Sequence, residues 1–136
     1  MNASHQTSAD GQKTVAVIGA SPNRRKYGNK SVRAHLAQGW RVFPVHPTAE
    51  QVEGLTAYPT LAAIPVEKLD RITVYVPPQI GIDLLDEMAA KHPHEVWLNP
   101  GAESEELVAK AEGLGLPIIQ AYSIVDLGVR PSQFAD

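Results

Sequence analysis

Cysteine is absent from the chain. Its absence excludes disulfides, thiolate metal sites and a cysteine nucleophile. It also fits a reducing compartment, so a cytoplasmic location is the expectation. No run of about 18 apolar residues occurs, so no helical membrane span is expected. The first 13 residues, MNASHQTSADGQK, lack the apolar core of a secretory signal and read as a disordered tail. A large excess of one charge is missing too. The net charge of -3 gives no general attraction to nucleic acid. No internal repeat or low-complexity segment stands out. What is present is ordinary globular composition, 43% hydrophobic and 20% charged, over 136 residues, a length that suits one domain.

Apolar runs and helical patterns alternate beyond the tail. Residues 15–19, 41–45, 72–76, 95–98 and 117–121 read as short, continuously apolar strands. Residues 29–38 read as a helix with Val32 and Leu36 one turn apart and Gly39 as its stop. A second helix over roughly residues 79–91 would present Ile80, Leu84, Leu85 and Met88 as its apolar face. A third over 103–114 carries Leu107, Val108, Ala111 and Leu114 on one side, with an acidic first turn that suits the helix dipole. Residues 46–71 read mostly as loop, with one helical turn near 61–64. This alternation predicts βαβ units, right-handed crossovers and a sheet covered on both faces. The expected fold is α/β: a doubly wound, five-stranded parallel sheet in three layers, order 3-2-1-4-5. The domain would span residues 14–127, followed by an irregular tail over 128–136.

In open sheets of this kind a ligand lies beyond the carboxyl ends of the strands, at the switch point. The expected order puts that point between strands 1 and 4, and directs attention to loops 19–28, 46–48, 77–79, 99–102 and 121–125. The first of these sits in VAVIGASPNRRKYGNKSV, residues 15–32. Against the dinucleotide pattern G-x-G-x-x-G, Gly19 fits, but Ser21 and Arg24 occupy the second and third glycine positions. A side chain at Ser21 limits the approach of a pyrophosphate. Arg24 would block close helix packing, so the helix should start later, near Gly28 or Asn29. The phosphate-loop pattern G-x-x-x-x-G-K-[ST] is absent. An NAD site wants an acid after the second strand. Here stands His46-Pro47, with nothing acidic before Glu50. That weakens NAD, although a histidine tolerates a 2′-phosphate. Five of the twelve lysines and arginines fall between residues 24 and 33: Arg24, Arg25, Lys26, Lys30 and Arg33. Such a run is commonly a solvated face. Its coincidence with the loop favours a ligand carrying more phosphate than a pyrophosphate.

Other chemistry-bearing residues read as structural. His92 and His94 lack the carboxylates that would complete a metal site. His35 reads as exposed or packed, Trp97 as packed in or beside the sheet, and Trp40 as core rim. Asp83, Asp86 and Glu87 read as a solvated helix face. Ser123 and Asp126 could mimic a nucleophile and its orienting group, with His46 as the one candidate base across the sheet edge. Tyr27 reads either as a stacking platform for adenine or as a loop residue packed on the helix.

In order along the chain, VAVIGASPNRRKYGNKSV, VFPVHPTAEQVEGLTAYPTLAAIP, VYVPP and VWLNPGAESEELVAKAEGLGLPII cover most of residues 14–125. As a set they resemble the small standalone CoA-binding domain proteins, a Rossmann-like family related to the succinyl-CoA synthetase α-subunit. The resemblance implies CoA as the ligand, held at the carboxyl edge of the sheet. It implies Gly19, Ala20 and Ser21 facing the pyrophosphate, and Lys26 and Tyr27 along the phosphate and adenosine side. His46 and Pro47 stand near adenine and ribose, where the family usually has Asn-Pro. Pro77 and Pro78 shape the edge of the third strand, and Asn99, Pro100 and Gly101 that of the fourth. CoA carries a 3′-phosphate that NAD lacks, and Arg24, Arg25 or Lys26 could meet it. Many relatives carry cysteine at the position of Ser123, so thiol chemistry proposed for them cannot operate here. The expected function is binding of CoA or acyl-CoA without a catalytic set, with no nucleic-acid or membrane partner. Binding of NAD(P) or another nucleotide is the alternative, as is a subunit role in a CoA-dependent enzyme. A protein partner or a homo-oligomer is left open.

Overall fold

A computed structural model describes residues 11–136. Residues 1–10 of the expected tail lie outside the described residues. The strands, in chain order, are β1 (Thr14–Ile18), β2 (Arg41–Val45), β3 (Gln51–Val52), β4 (Leu55–Thr56), β5 (Arg71–Val74), β6 (Glu95–Leu98) and β7 (Ile118–Ile119). Five of them form one parallel sheet in the order β2-β1-β5-β6-β7, and β3 and β4 pair as a separate antiparallel hairpin. The helices are α1 (Tyr27–Ala37), α2 (Pro78–Gly81), α3 (Leu85–Ala90), α4 (Glu105–Gly113) and α5 (Ser123–Asp126). Among the described residues no helix is long and apolar enough to cross a membrane.

The α/β class stands, but the expected strand order 3-2-1-4-5 is corrected to 2-1-3-4-5. The third long strand, β5, pairs with β1 from Val15↔Arg71 to Ile18↔Val74 rather than outside β2. The place it would have taken beyond β2 is occupied. Tyr58 bridges Val45, donates its amide to the Pro44 carbonyl at 2.9 Å and accepts from the His46 amide at 3.0 Å. Pro44 has no amide hydrogen to offer a further strand. Leu61, Ile64 and Leu69 of the connection bury themselves with Ile18, Phe43 and Val74, carrying the chain across to the other side of β1.

Alternation along the strands gives the sheet two unlike faces. Ala16, Ile18, Phe43, Ile72, Val74, Val96 and Leu98 belong to an apolar cluster completed by Leu85, Met88, Leu107 and Ala111. The other face begins apolar at Val15, Val17 and Val42, under Val32 of α1. It then turns polar. Arg71 is 3% exposed and donates to Glu95 Oε1 at 2.8 Å and to Asp126 Oδ2 at 2.6 Å. Its guanidinium lies 4.6 Å from the Trp40 ring and 4.9 Å from that of Trp97. It also donates to His35 Nε2 at 3.3 Å, while His35 Nδ1 donates to the Ser31 carbonyl at 2.9 Å.

This packing corrects two readings of amphipathic faces. Helix α1 buries Gly28, Asn29, Ser31, Val32, Ala34 and His35, whereas Leu36 is 37% exposed. The stripe is small and polar because the strand surface beneath it is polar. The expected helix over residues 79–91 is broken into α2, a 3-10 turn at Ile82–Leu84, and α3. Gly81, not Ile80, faces Leu107 of α4, where an added Cβ would stand 3.3 Å from Leu107 Cδ1. Ile80 therefore points outward, 50% exposed.

Burial pushes the His35 imidazole down from 6.5 to about 4, with a smaller downward push from Arg71. Its neutral form is the native one. The unfolded chain takes up a proton below about pH 6.5 and the native state does so only near pH 4, so stability falls as pH drops through that interval. A loss approaching about 3 kcal/mol is expected. Urea midpoints measured from pH 7 to pH 4 should fall, and fall less for His35→Gln. An equal fall in both proteins would show that His35 does not carry the effect.

Candidate functional site

With β5 beside β1, the switch point lies between these two strands, not between the first and fourth. Gly19 ends β1 at φ +90°, and a Cβ there would stand 3.2 Å from both Tyr75 Cβ and Val76 Cγ1. Gly28 closes the loop from the other end. A Cβ on Gly28 would overlap the Gly19 carbonyl oxygen and sit 2.9 Å from its carbon. The helix therefore rests directly on the end of β1. This is the close-packing role of the last glycine in the dinucleotide pattern, moved to a wider loop. The sequence reading put the helix start near this residue, and α1 does begin at Tyr27. The packing role went unread, although a glycine in the first turn after a strand-glycine loop signals it.

Within the loop Ala20 is fully buried. Ser21 Oγ accepts from the Asn23 amide at 3.0 Å, which closes a tight turn. The Ser21 carbonyl accepts from Asn29 Nδ2 at 2.8 Å. Asn29, read in the sequence only as a helix start, is fully buried and also bonds Glu53 Oε2 at 3.1 Å and Arg33 Nε at 2.7 Å. Arg33 donates further to the carbonyls of Arg24, Phe134 and Ala135, which ties the segment around a 3-10 turn at Pro131–Gln133 to α1. That work removes Arg33 from the exposed basic patch. Arg24 pairs with Glu53 at 3.4 Å and Arg25 with Asp136 at 2.8 Å. Lys26 is the exposed N-cap of α1 and makes no side-chain cap bond. Tyr27 is 51% exposed, with Lys30 Nζ 5.4 Å from its ring centre.

The remaining expected site residues line neighbouring loops. His46 Nδ1 accepts from the amides of Thr48 at 3.1 Å and Ala49 at 2.8 Å, so the ring proton sits on Nε2. An asparagine Oδ1 would accept the same pair in an Asx turn. Pro47 is exposed beside it. Pro77 and Pro78 start α2, the Pro77 carbonyl accepting from the amides of Ile80 and Gly81. Asn99 is 2% exposed. It donates to Thr73 Oγ1 at 2.7 Å and the Val74 carbonyl at 2.9 Å, and accepts from the Ser123 amide at 3.0 Å. Both ends of its amide thus brace β5, β6 and α5 together. Exposed Pro100 leads to Gly101, at φ +99°, whose amide is held by Glu103 Oε1 at 2.9 Å.

Ser123 is fully buried, with its hydroxyl 2.7 Å from Thr73 Oγ1 and 3.2 Å from the Tyr75 hydroxyl. Burial raises the Tyr75 phenol above its ordinary value. Asp126 serves Arg71, and His46 Nδ1 serves its own turn, so Ser123 has neither base nor access. Among the described residues no group of three histidines and carboxylates gathers to hold a metal.

A doubly wound parallel sheet whose first loop joins strand to helix through facing glycines, beside exposed cations, places the chain in the Rossmann-like α/β class. Residues 13–127 match the model of the CoA binding domain family, and the chain belongs to that family. Among curated proteins it is 28% identical over 117 residues to acetate–CoA ligase (ADP-forming) I of Archaeoglobus fulgidus, covering 79% of this chain and 17% of the ligase. Ligase II of the same organism is 35% identical over 81 residues, 58% of this chain and 12% of the relative. The chain therefore spans less than a fifth of the length of these relatives. Among solved structures, a conserved hypothetical protein of Pyrococcus furiosus matches with TM-score 0.75 and 32% identity, over 85% of this chain and 98% of that one. The dinucleotide-forming acetyl-coenzyme A synthetase 1 of Ca. Korarchaeum cryptofilum, in complex with phosphate and ADP, matches with TM-score 0.70 and 27% identity. That match covers 80% of this chain and 25% of the synthetase.

Proposed function

We propose that this chain binds CoA or acyl-CoA and performs no chemistry alone. The pyrophosphate lies over Gly19, Ala20 and Ser21, at the positive end of the 11-residue helix α1. Arg24, Arg25 and Lys26 take the 3′-phosphate. Tyr27, His46 and Pro47 face the adenosine. Pro77, Pro78 and Gly101 border the far side, and Asn99 holds that edge in place. The observation that carries this reading is the contact of Gly28 with the end of β1, at the switch point, in a chain matched by the CoA-binding family.

A second reading has one observation in its favour. The ADP-forming ligases are several times longer than this chain, which covers 17% of one and 12% of the other. A partner chain supplying the missing chemistry would make this protein the CoA-holding subunit of an enzyme.

Calorimetric titration with CoA, dephospho-CoA, NAD and NADP tests the binding reading. CoA should bind best, and dephospho-CoA about tenfold more weakly through loss of charge-assisted hydrogen bonds. Replacing Arg24, Arg25 and Lys26 together should remove that difference. Equal losses for both ligands would place the 3′-phosphate elsewhere, and NADP matching CoA would favour a general nucleotide binder.

A further inference from the structure

The basic loop has no acid of its own: residues 19–33 contain neither Asp nor Glu. Its more buried counter-ion arrives from the β3–β4 hairpin. Glu53 and Gly54 form the tip with φ +51° and +78°, the pairing of a tight two-residue hairpin turn. Glutamate is uncommon in that region, which asparagine and glycine occupy more readily. The arm is fixed at its base, because Val52 is 1% and Ala57 8% exposed in the cluster beneath α1. Glu53 Oε2 thus stands 3.4 Å from Arg24 Nε and 3.1 Å from Asn29 Nδ2, with its side chain 21% exposed. Asp136, which pairs with Arg25, is 57% exposed and much less confined.

We propose that Glu53 is a resident carboxylate on Arg24 that competes with a ligand phosphomonoester and so tempers the loop's preference for one. The inference rests on the CoA reading and deepens it. A carboxylate carries one charge, whereas a phosphomonoester carries roughly 1.5 to 2 near neutral pH and offers three acceptor oxygens. The phosphomonoester therefore wins Arg24, but its binding carries the cost of breaking the Glu53 pair. A nucleotide with only a diphosphate to offer leaves Glu53 paired and is spared that cost. A second consequence concerns Asn29. Bonded to Glu53, it also holds the Ser21 carbonyl, so the carboxylate can exchange partners at Arg24 while the loop stays anchored.

The test is titration of the full chain and of Glu53→Gln with CoA and dephospho-CoA. Glutamine keeps an oxygen for Asn29 and removes the charge. Glu53→Gln should tighten CoA about two- to fivefold, the scale of a partly exposed ion pair, and dephospho-CoA distinctly less. In an Arg24→Gln background the same substitution should no longer widen the gap between the ligands. Thermal melts of each variant check that the fold is kept. Equal tightening of both ligands would overturn the inference, leaving only a general charge effect. Weakening of both would also overturn it, making Glu53 a ligand for hydroxyls. CoA binding with unchanged discrimination would sink this inference alone, whereas failure of the parent to bind CoA would sink the CoA reading and this inference with it.

Discussion

Gly28→Ala is expected to destabilise the protein by about 3 kcal/mol or more and to abolish CoA binding. The added methyl group meets backbone, the carbonyl of Gly19, not the end of a flexible side chain. Relief requires α1 to lift from β1, and the lift moves every residue between Gly19 and Tyr27. A built-in control exists at Gly113, the last residue of α4, where a Cβ meets nothing within 4 Å and φ is not positive. There the same substitution should stabilise by about 0.5 kcal/mol, because alanine is the better helix former. Urea denaturation of both variants reads the contrast directly. A loss below about 1 kcal/mol at Gly28 would mean that the helix slides at little cost and that the close contact is not what shapes the loop.

The second large effect is expected at Arg71. Arg71→Ala removes the cation between Trp40 and Trp97 and strands Glu95 and Asp126 beside the gap. A cost of about 3–5 kcal/mol follows, from the cavity and from the broken pairs together. Arg71→Met separates the two contributions. Methionine fills the space between the rings but leaves both carboxylates unpaired. Their side chains are 38% and 43% exposed, so water can take over much of the lost pairing. The Met variant should therefore retain more than half of the stability that the Ala variant loses. Equal losses in chemical denaturation would show that the ion pairs outweigh the stacking.

The class of fold was legible in the sequence because the strands are short apolar runs, and runs of that kind survive any tertiary arrangement. Strand order was not legible, because it depends on a single pairing of Tyr58 with the edge of β2, inside a segment that reads as loop. The hairpin escaped notice for a related reason. Its strands are two residues each, and its turn is Glu-Gly instead of Asn-Gly. On α1, Leu36 signalled a core position by its spacing, yet His35 is the residue buried there. Periodicity shows which residues prefer burial but cannot show that the opposing surface is polar. The candidate loop could be singled out by its glycines and cations. The division of labour among those cations could not, since Arg33 is claimed by carbonyls at residues 134 and 135, some hundred positions away along the chain.

The contrast between the two faces of the sheet bears on how such a sequence can drift over generations. On the face of Ile18, Ile72, Val74 and Leu98, one aliphatic residue can replace another with modest loss, provided that the packed neighbours together keep the volume. On the opposite face, Arg71, Glu95, Asp126, His35 and both tryptophans depend on one another for charge, proton or stacking surface. A change at one of these is tolerated only with a matching change at another. Substitutions among these residues are expected to come in correlated sets, whereas the apolar face accepts aliphatic exchanges more freely.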